Sequence, residues 1–378
     1  MTRSLPGGSD RAATARFADR LQSTAVSVGM KVTPFLPLPV KRLMTGGRSV
    51  SIDGNTLDPT LQLTLAGQRV LGIDGLVIDD DVEASRAQLR ELLSGLGGED
   101  VHVKVRDVTV PGPAGDIGAR LYRPPGGRTT ALLVFYHGGG FVIGDLDAYD
   151  AVCRQVCRDG DVAVLSVDYR LAPEHPAPAA LDDAYAAFRW AAEHAADLGA
   201  VPGRIAVGGD SAGGNLAAGV ALLARDEARR QAPDKGAPTP ILQWLLYPVT
   251  DCAATTRSRT LYADGFVLTK HDIDWFTAQY VGGSGVDPTD PRVSPLRASD
   301  LSGLPPALIA LAGFDPLHDE GASFAAALQE AGNVVDLRVA GPLTHGFVSL
   351  AALGGGSATA TTQLISALRA HLSRGATG

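Results

Sequence analysis

A serine hydroxyl is a useful nucleophile only when a base takes its proton and a third group holds that base, so a serine, a histidine and a carboxylate on separate loops are the combination that matters. Ser211 stands in Gly209-Asp210-Ser211-Ala212-Gly213, after the apolar run Arg204-Ile205-Ala206-Val207-Gly208 and before the alanine-rich stretch from Asn215 to Arg230. That order predicts strand, tight turn, helix. A serine at such a turn is held in strained backbone geometry with its hydroxyl lifted clear of the sheet, and the flanking glycines leave room for the helix to pass close to the strand. A second string, His137-Gly138-Gly139-Gly140-Phe141, directly follows the strand-like segment from Ala131 to Tyr136. Three glycines in a row let the backbone approach a substrate and point its N–H groups into a site, as stabilising a developing oxyanion requires. The Ser211 string alone is weak evidence, and an ordinary glycine loop after a strand is the alternative for the second; together they point to acyl transfer.

With Asp168-Tyr169-Arg170-Leu171-Ala172-Pro173-Glu174-His175-Pro176 between them, the two strings resemble the hormone-sensitive-lipase-like branch of the α/β-hydrolases, the carboxylesterases with an HGGG loop and a GDSAGGN elbow. The resemblance spans roughly residues 100 to 374. It implies an α/β-hydrolase fold, with a mostly parallel eight-stranded sheet, helices on both faces and a helical cap. It also implies a serine carboxylesterase that cleaves short- to medium-chain acyl esters through an acyl-serine, with no metal or organic cofactor. In that fold the chain order is serine, acid, histidine. Of His271, His318, His345 and His371, only His345 lies in a loop between the last strand and the last helix, and Leu343-Thr344-His345-Gly346-Phe347 matches the family. For the acid, Asp315 follows the apolar run from Ala307 to Ala312, with Pro316 expected to open the next helix. An aspartate there reads equally well as a helix N-cap. Asp319 and Glu320 are expected in that helix's first turn, and the family's Asp-Pro-Leu pattern favours Asp315. The implied oxyanion donors are the backbone N–H groups of Gly138, Gly139 and Ala212. Asp210 and Glu174 are given supporting roles beside neighbouring loops.

The elements that must position these residues follow from periodicity. Period-two apolar patterning from Val101 to Val110 and from Ile117 to Tyr122, split by Pro111-Gly112-Pro113-Ala114-Gly115, predicts two antiparallel strands. Strands near 131–136, 162–168, 205–208, 241–247, 306–312 and 334–339 then alternate with helices near 147–159, 178–198, 212–230, 316–332 and 357–373. That alternation predicts a parallel sheet covered on both faces. Residues 1–100 lack it and read as helical segments, at Leu61 to Leu71 and Asp81 to Leu96, which the resemblance assigns to the cap. Asp251 to Leu304 interrupts it with a helical stretch from Lys270 to Tyr280, and the resemblance makes this the cap insertion of a catalytic domain over 101–378. Phe141, Phe266 and Phe276, with Trp275 and Tyr280, are candidates to line the substrate pocket; packing the cap onto the body would account for the cap aromatics as well.

Composition sets the bounds. A formal charge of −8 with no basic stripe offers no footprint for nucleic acid. Three cysteines make no disulfide framework, and Cys153 and Cys157, four apart on an expected helix, read as buried small side chains rather than a metal clip. A reducing, cytoplasmic setting suits them. Residues 1–20 lack a secretory signal pattern, and no apolar run reaches the ~18 residues of a spanning helix. The apolar stretch from Ala25 to Met44 carries Pro34, Pro37 and Pro39, which interrupt any long interfacial helix. Membrane association is therefore expected to be weak at most, the partner a small ester, and a homodimer is left open. The competing readings are a lipase at a lipid surface, a non-catalytic small-molecule receptor, from which the retained His345 distinguishes this chain, and a peptidase or amidase, which lacks the triple-glycine loop.

Overall fold

The computed structural model describes residues 32–96, 102–126, 131–231 and 236–374. A short hairpin, β1 (Ser51–Ile52) with β2 (Asn55–Thr56), precedes the main sheet of eight strands. These are β3 (Lys104–Gly112), β4 (Gly115–Arg123), β5 (Leu132–Tyr136), β6 (Ala163–Asp168), β7 (Ile205–Asp210), β8 (Gln243–Leu246), β9 (Ala307–Phe314) and β10 (Val335–Thr344), in spatial order β10-β9-β8-β7-β5-β6-β4-β3. Antiparallel pairing joins β3 to β4 and β4 to β6, and the remaining pairs are parallel. Every residue of β5, β7, β8 and β9 is buried, as expected of parallel strands covered on two sides. The helix at Ala179–Glu193 packs beside that at Ala212–Arg230, and Asp150–Gly160 beside Gly355–Ser373, which gives the sheet its flanking layers.

The expected elements are present, with shifted ends. The helix expected from Pro316 begins at His318, because Asp315 Oδ1 accepts the Leu317 N–H at 2.8 Å and closes a turn there first. The last strand runs on to Thr344, five residues past its expected end. Before the sheet, helices at Pro59–Val70 and Val82–Leu96 match the helical periodicity. The described part of the proline-bearing stretch forms a 3-10 turn at Thr33–Phe35 and a seven-residue helix at Leu38–Met44, and its first residues, 25–31, lie outside the described residues, as do 1–20 and Val101. The 251–304 interval contains helices at Arg257–Leu261 and Lys270–Tyr280 and, among its residues, no strand. Among the described residues no helix is long and apolar enough to cross a membrane.

The step from β7 into the Ala212–Arg230 helix depends on how near that helix lies to β5. A Cβ on Gly213 would overlap the Tyr136 carbonyl oxygen of β5, and one on Gly209 would overlap the same oxygen. Because the obstacle is backbone, no side-chain rotation relieves it. Gly213→Ala is predicted to destabilise the protein by ~3 kcal/mol or more, at the severe end of overpacking. Urea titration checks this, and a loss below ~1 kcal/mol would show that the helix can move away from the strand without consequence.

Candidate active site

Three strand ends converge on one point. Parallel register pairs Thr344 of β10 with Phe314 of β9, so the next residues, His345 and Asp315, leave the sheet side by side. Two strands further in, β7 ends at Asp210 and the chain turns at Ser211, whose φ of 54° and ψ of −117° are the strained elbow conformation. Two backbone hydrogen bonds hold that turn: Ser211 N donates to Leu246 O at 2.8 Å, and Val249 N donates to Ser211 O at 3.2 Å.

The side chains then form a chain of hydrogen bonds. His345 Nε2 lies 2.9 Å from Ser211 Oγ, and His345 Nδ1 lies 2.8 Å from Asp315 Oδ2. All three residues are buried or nearly so, with Ser211 the most accessible at 8%. A carboxylate accepts only, so Nδ1 carries its proton toward Asp315 and Nε2 is left to accept from the serine hydroxyl. Tyr247, at the end of β8, presents its ring edge-on to the imidazole at a centroid distance of 4.7 Å and to Phe347 at 5.3 Å, fixing the imidazole plane from the side. Of the other carboxylates weighed, Asp319 Oδ2 accepts the Ser258 N–H at 2.9 Å. Glu320 is buried against Arg259, and Glu174 forms a paired contact with Arg86 at the surface.

The triple-glycine loop departs from expectation at one position. The Gly138 N–H donates to Asp210 Oδ1 at 2.8 Å, so it is committed to the carboxylate and is not free for an oxyanion. Gly139 and Gly140 line the cleft above Ser211, with φ of 108° and 59°. A Cβ on Gly139 would overlap the Ile143 carbonyl oxygen and one on Gly140 the Phe276 ring, which explains why both positions are glycine. Tyr149 Oη donates to Asp210 Oδ2 at 3.2 Å, so Asp210 ties the loop, the elbow and the Asp150–Gly160 helix together, a supporting role as expected. Tyr149 and Tyr247 carry no motif in the sequence that would have marked them.

A largely apolar cleft opens at Ser211 and His345. Phe141 and Phe276 line it, and Tyr280 stacks on Phe141 at a centroid distance of 3.9 Å. Phe266 does not line it; it packs against Tyr262 and against Phe314 at the end of β9, and Trp275 packs against Phe276, so Phe266 ties the 251–304 interval to the sheet. Leu89 and Leu92 from the Val82–Leu96 helix share the lining with Ile273 and Phe276 from Lys270–Tyr280. Asp272 Oδ1 accepts the Leu76 and Val77 N–H groups, at 3.1 and 2.9 Å, and so joins the two segments. The three cysteines are free and buried, and among the described residues no group of His, Cys, Asp or Glu is placed to hold a metal ion.

Two buried groups near the loop titrate in opposite senses. Burial pushes the Asp210 carboxyl up to about 6, against the opposing pull of His345, the Gly138 N–H and Tyr149. Burial likewise holds His137 down at about 4; its Nδ1 donates to Gly138 O at 2.7 Å, and its ring stacks on Tyr169. A depressed histidine costs stability as pH falls from 6.5 toward 4, because the unfolded chain takes up the proton first. A raised aspartate restores stability over much of the same window, because the folded chain takes up its proton first. Asp210→Asn removes the second effect. Relative to wild type, this variant is predicted to lose on the order of 1–2 kcal/mol more stability between pH 6.5 and 4.5. Urea midpoints at the two pH values measure the difference, and no difference between variant and wild type, or one of the opposite sign, would show that Asp210 is ionised throughout that range.

Comparison with known proteins places this geometry in context. A model of the family described as having the alpha/beta hydrolase fold matches residues 133–349. The chain is 62% identical to carboxylic ester hydrolase LipN of Mycobacterium tuberculosis over 99% of its own length and 100% of that protein's. It is 37% identical to an ethyl acetate hydrolase of Pseudomonas putida, over 82% and 97% of the two chains. Among solved structures, the hyperthermophilic esterase of the archaeon Pyrobaculum calidifontis aligns with a TM-score of 0.71 at 39% identity, covering 78% of this chain and 94% of that one. The protein is a carboxylic ester hydrolase, and the chain belongs to the α/β-hydrolase family.

Proposed function

We propose that Ser211, His345 and Asp315 hydrolyse short- to medium-chain acyl esters through an acyl-serine. The observation that carries this is the unbroken relay from Asp315 through His345 to Ser211 at the floor of an apolar cleft. Ser211 Oγ attacks the ester carbonyl as His345 Nε2 takes its proton, and Asp315 holds the imidazole tautomer and stabilises the imidazolium. The oxyanion is met by the N–H groups of Gly139, Gly140 and Ala212. Ala212 qualifies as the first residue of its helix, where the N–H has no helical acceptor. His345 then protonates the leaving alcohol, and water repeats the sequence on the acyl-enzyme.

Residues up to about 100 and the 251–304 interval act together as the cap over a catalytic domain; the Asp272 contacts and the shared lining support this. Among the described residues of the proline-bearing stretch, a contact with lipid is favoured by the exposed Phe35, Leu38, Val40, Leu43 and Met44. They sit on a 3-10 turn and a two-turn helix, too little apolar surface for more than weak membrane association. Three free, buried cysteines suit a reducing compartment such as the cytoplasm.

Ser211→Ala is predicted to lower kcat on a short-chain p-nitrophenyl ester by at least ~10³-fold with the fold intact by circular dichroism. Asp315→Asn favours the wrong imidazole tautomer and should cost ~10²–10⁴-fold. In Asp319→Asn the side-chain oxygen can still accept from Ser258 N, so only ~0.3–1 kcal/mol of stability at the helix start should be lost. If Asp319→Asn lowers turnover more than Asp315→Asn, the acid is misassigned.

A further inference from the structure

The lining of the cleft is dominated by apolar side chains, yet it includes one arginine, Arg259, only 8% exposed. Its partners account for one side of the guanidinium. Nε donates to Glu320 Oε2 at 3.0 Å, and Nη2 donates to the same oxygen at 2.7 Å and to Asp251 O at 2.9 Å. The other carboxylate oxygen, Glu320 Oε1, accepts the N–H groups of Thr250 and Asp251, at 2.9 and 3.3 Å. Glu320 is fully buried and its acceptors are taken. Five N–H donors belong to a guanidinium, and this set leaves both on Nη1 with no acceptor among the described residues. A purely structural ion pair between the Arg257–Leu261 and His318–Glu330 helices would not need the arginine to border the cleft that holds Ser211.

We infer that Arg259 is a substrate-binding residue that selects esters carrying a second, neutral oxygen acceptor, such as an ether, ketone or further ester carbonyl, in the arm that reaches its Nη1. This rests on the reading of the cleft as the substrate site. An acceptor there satisfies two N–H groups that a hydrocarbon chain would cover and leave without a partner. A neutral acceptor is favoured over a carboxylate because Glu320 already balances the arginine, and Asp210 also borders the cleft. A substrate carboxylate would add an unbalanced charge in a confined, largely apolar space.

The test compares kcat/KM for plain p-nitrophenyl alkanoates with chains of equal length in which one methylene is replaced by an ether oxygen, at each position in turn. A parallel series of acetates varies the alcohol arm in the same way. At one position in one series the ether should be preferred about tenfold, while elsewhere the apolar walls should disfavour it. Chains of the same length ending in a carboxylate should be poorer than the ether. Arg259→Met combined with Glu320→Gln removes both charges together and leaves no lone buried carboxylate; the ether preference should fall below one. Arg259→Lys keeps the ion pair, lacks the guanidinium fork, and should also lose the preference. Because each figure is a ratio within one preparation, a lower folded fraction does not affect it. An ether disfavoured at every position in both series would overturn the inference, as would a preference unchanged in both variants or a carboxylate chain that outperforms the ether. If plain esters are cleaved without any ether preference, only this inference fails; if no ester is cleaved, the catalytic reading fails with it.

Discussion

Ser211 is held in a backbone conformation that a residue with a Cβ adopts only under constraint, and the rest of the site is arranged around that constraint. Both sides of the turn are fixed by backbone. Leu246 O receives its N–H, Val249 supplies a donor to its carbonyl, and the helix that follows passes so close to β5 that only glycine fits at positions 209 and 213. The Ser211 Cα–Cβ bond cannot be redirected away from the cleft without breaking these contacts. A loop-borne histidine is then enough, because the register of β9 with β10 brings His345 out beside Asp315 and within reach of the serine.

Buried charge does the remaining positioning. Asp210, next to the nucleophile, fixes the glycine loop through the Gly138 N–H and the loop's neighbour through Tyr149. That attachment leaves Gly139 and Gly140, rather than Gly138, as the loop glycines bordering the cleft. Further out, Glu320 anchors the start of the 251–304 interval by accepting from Thr250 and Asp251 while it pairs with Arg259. Breaking either buried arrangement from one side would strand a charge or a backbone donor, with a cost larger than the net value of the contact.

Much of this was legible in the sequence because the governing signals are local. Glycines flanking Ser211, three glycines after a strand, and strands alternating with helices each constrain backbone within a few residues. What stayed hidden depends on contacts between distant segments. Nothing around Gly138 discloses that Asp210, 72 residues away, takes its N–H. Phe266 and Phe276 look alike as aromatic residues of the 251–304 interval, but one faces the Phe314 ring and the other the cleft. Nothing in the sequence around Arg259 or Glu320, 61 residues apart, discloses that the two pair. The start of the His318 helix was misread because proline so often opens a helix, whereas here the Asp315 side chain closes a turn before it.

The most direct measurement is covalent trapping with a p-nitrophenyl alkylphosphonate. In that reaction a serine oxygen bonds to phosphorus, p-nitrophenolate leaves, and the stable ester mimics the tetrahedral state. Peptide mass spectrometry should find one adduct per chain, on Ser211, and the labelling rate should fall at least ~10²-fold in His345→Ala, where no base takes the serine proton. Labelling of another residue, or labelling of Ser211 at the wild-type rate without His345, would contradict the assignment of the relay.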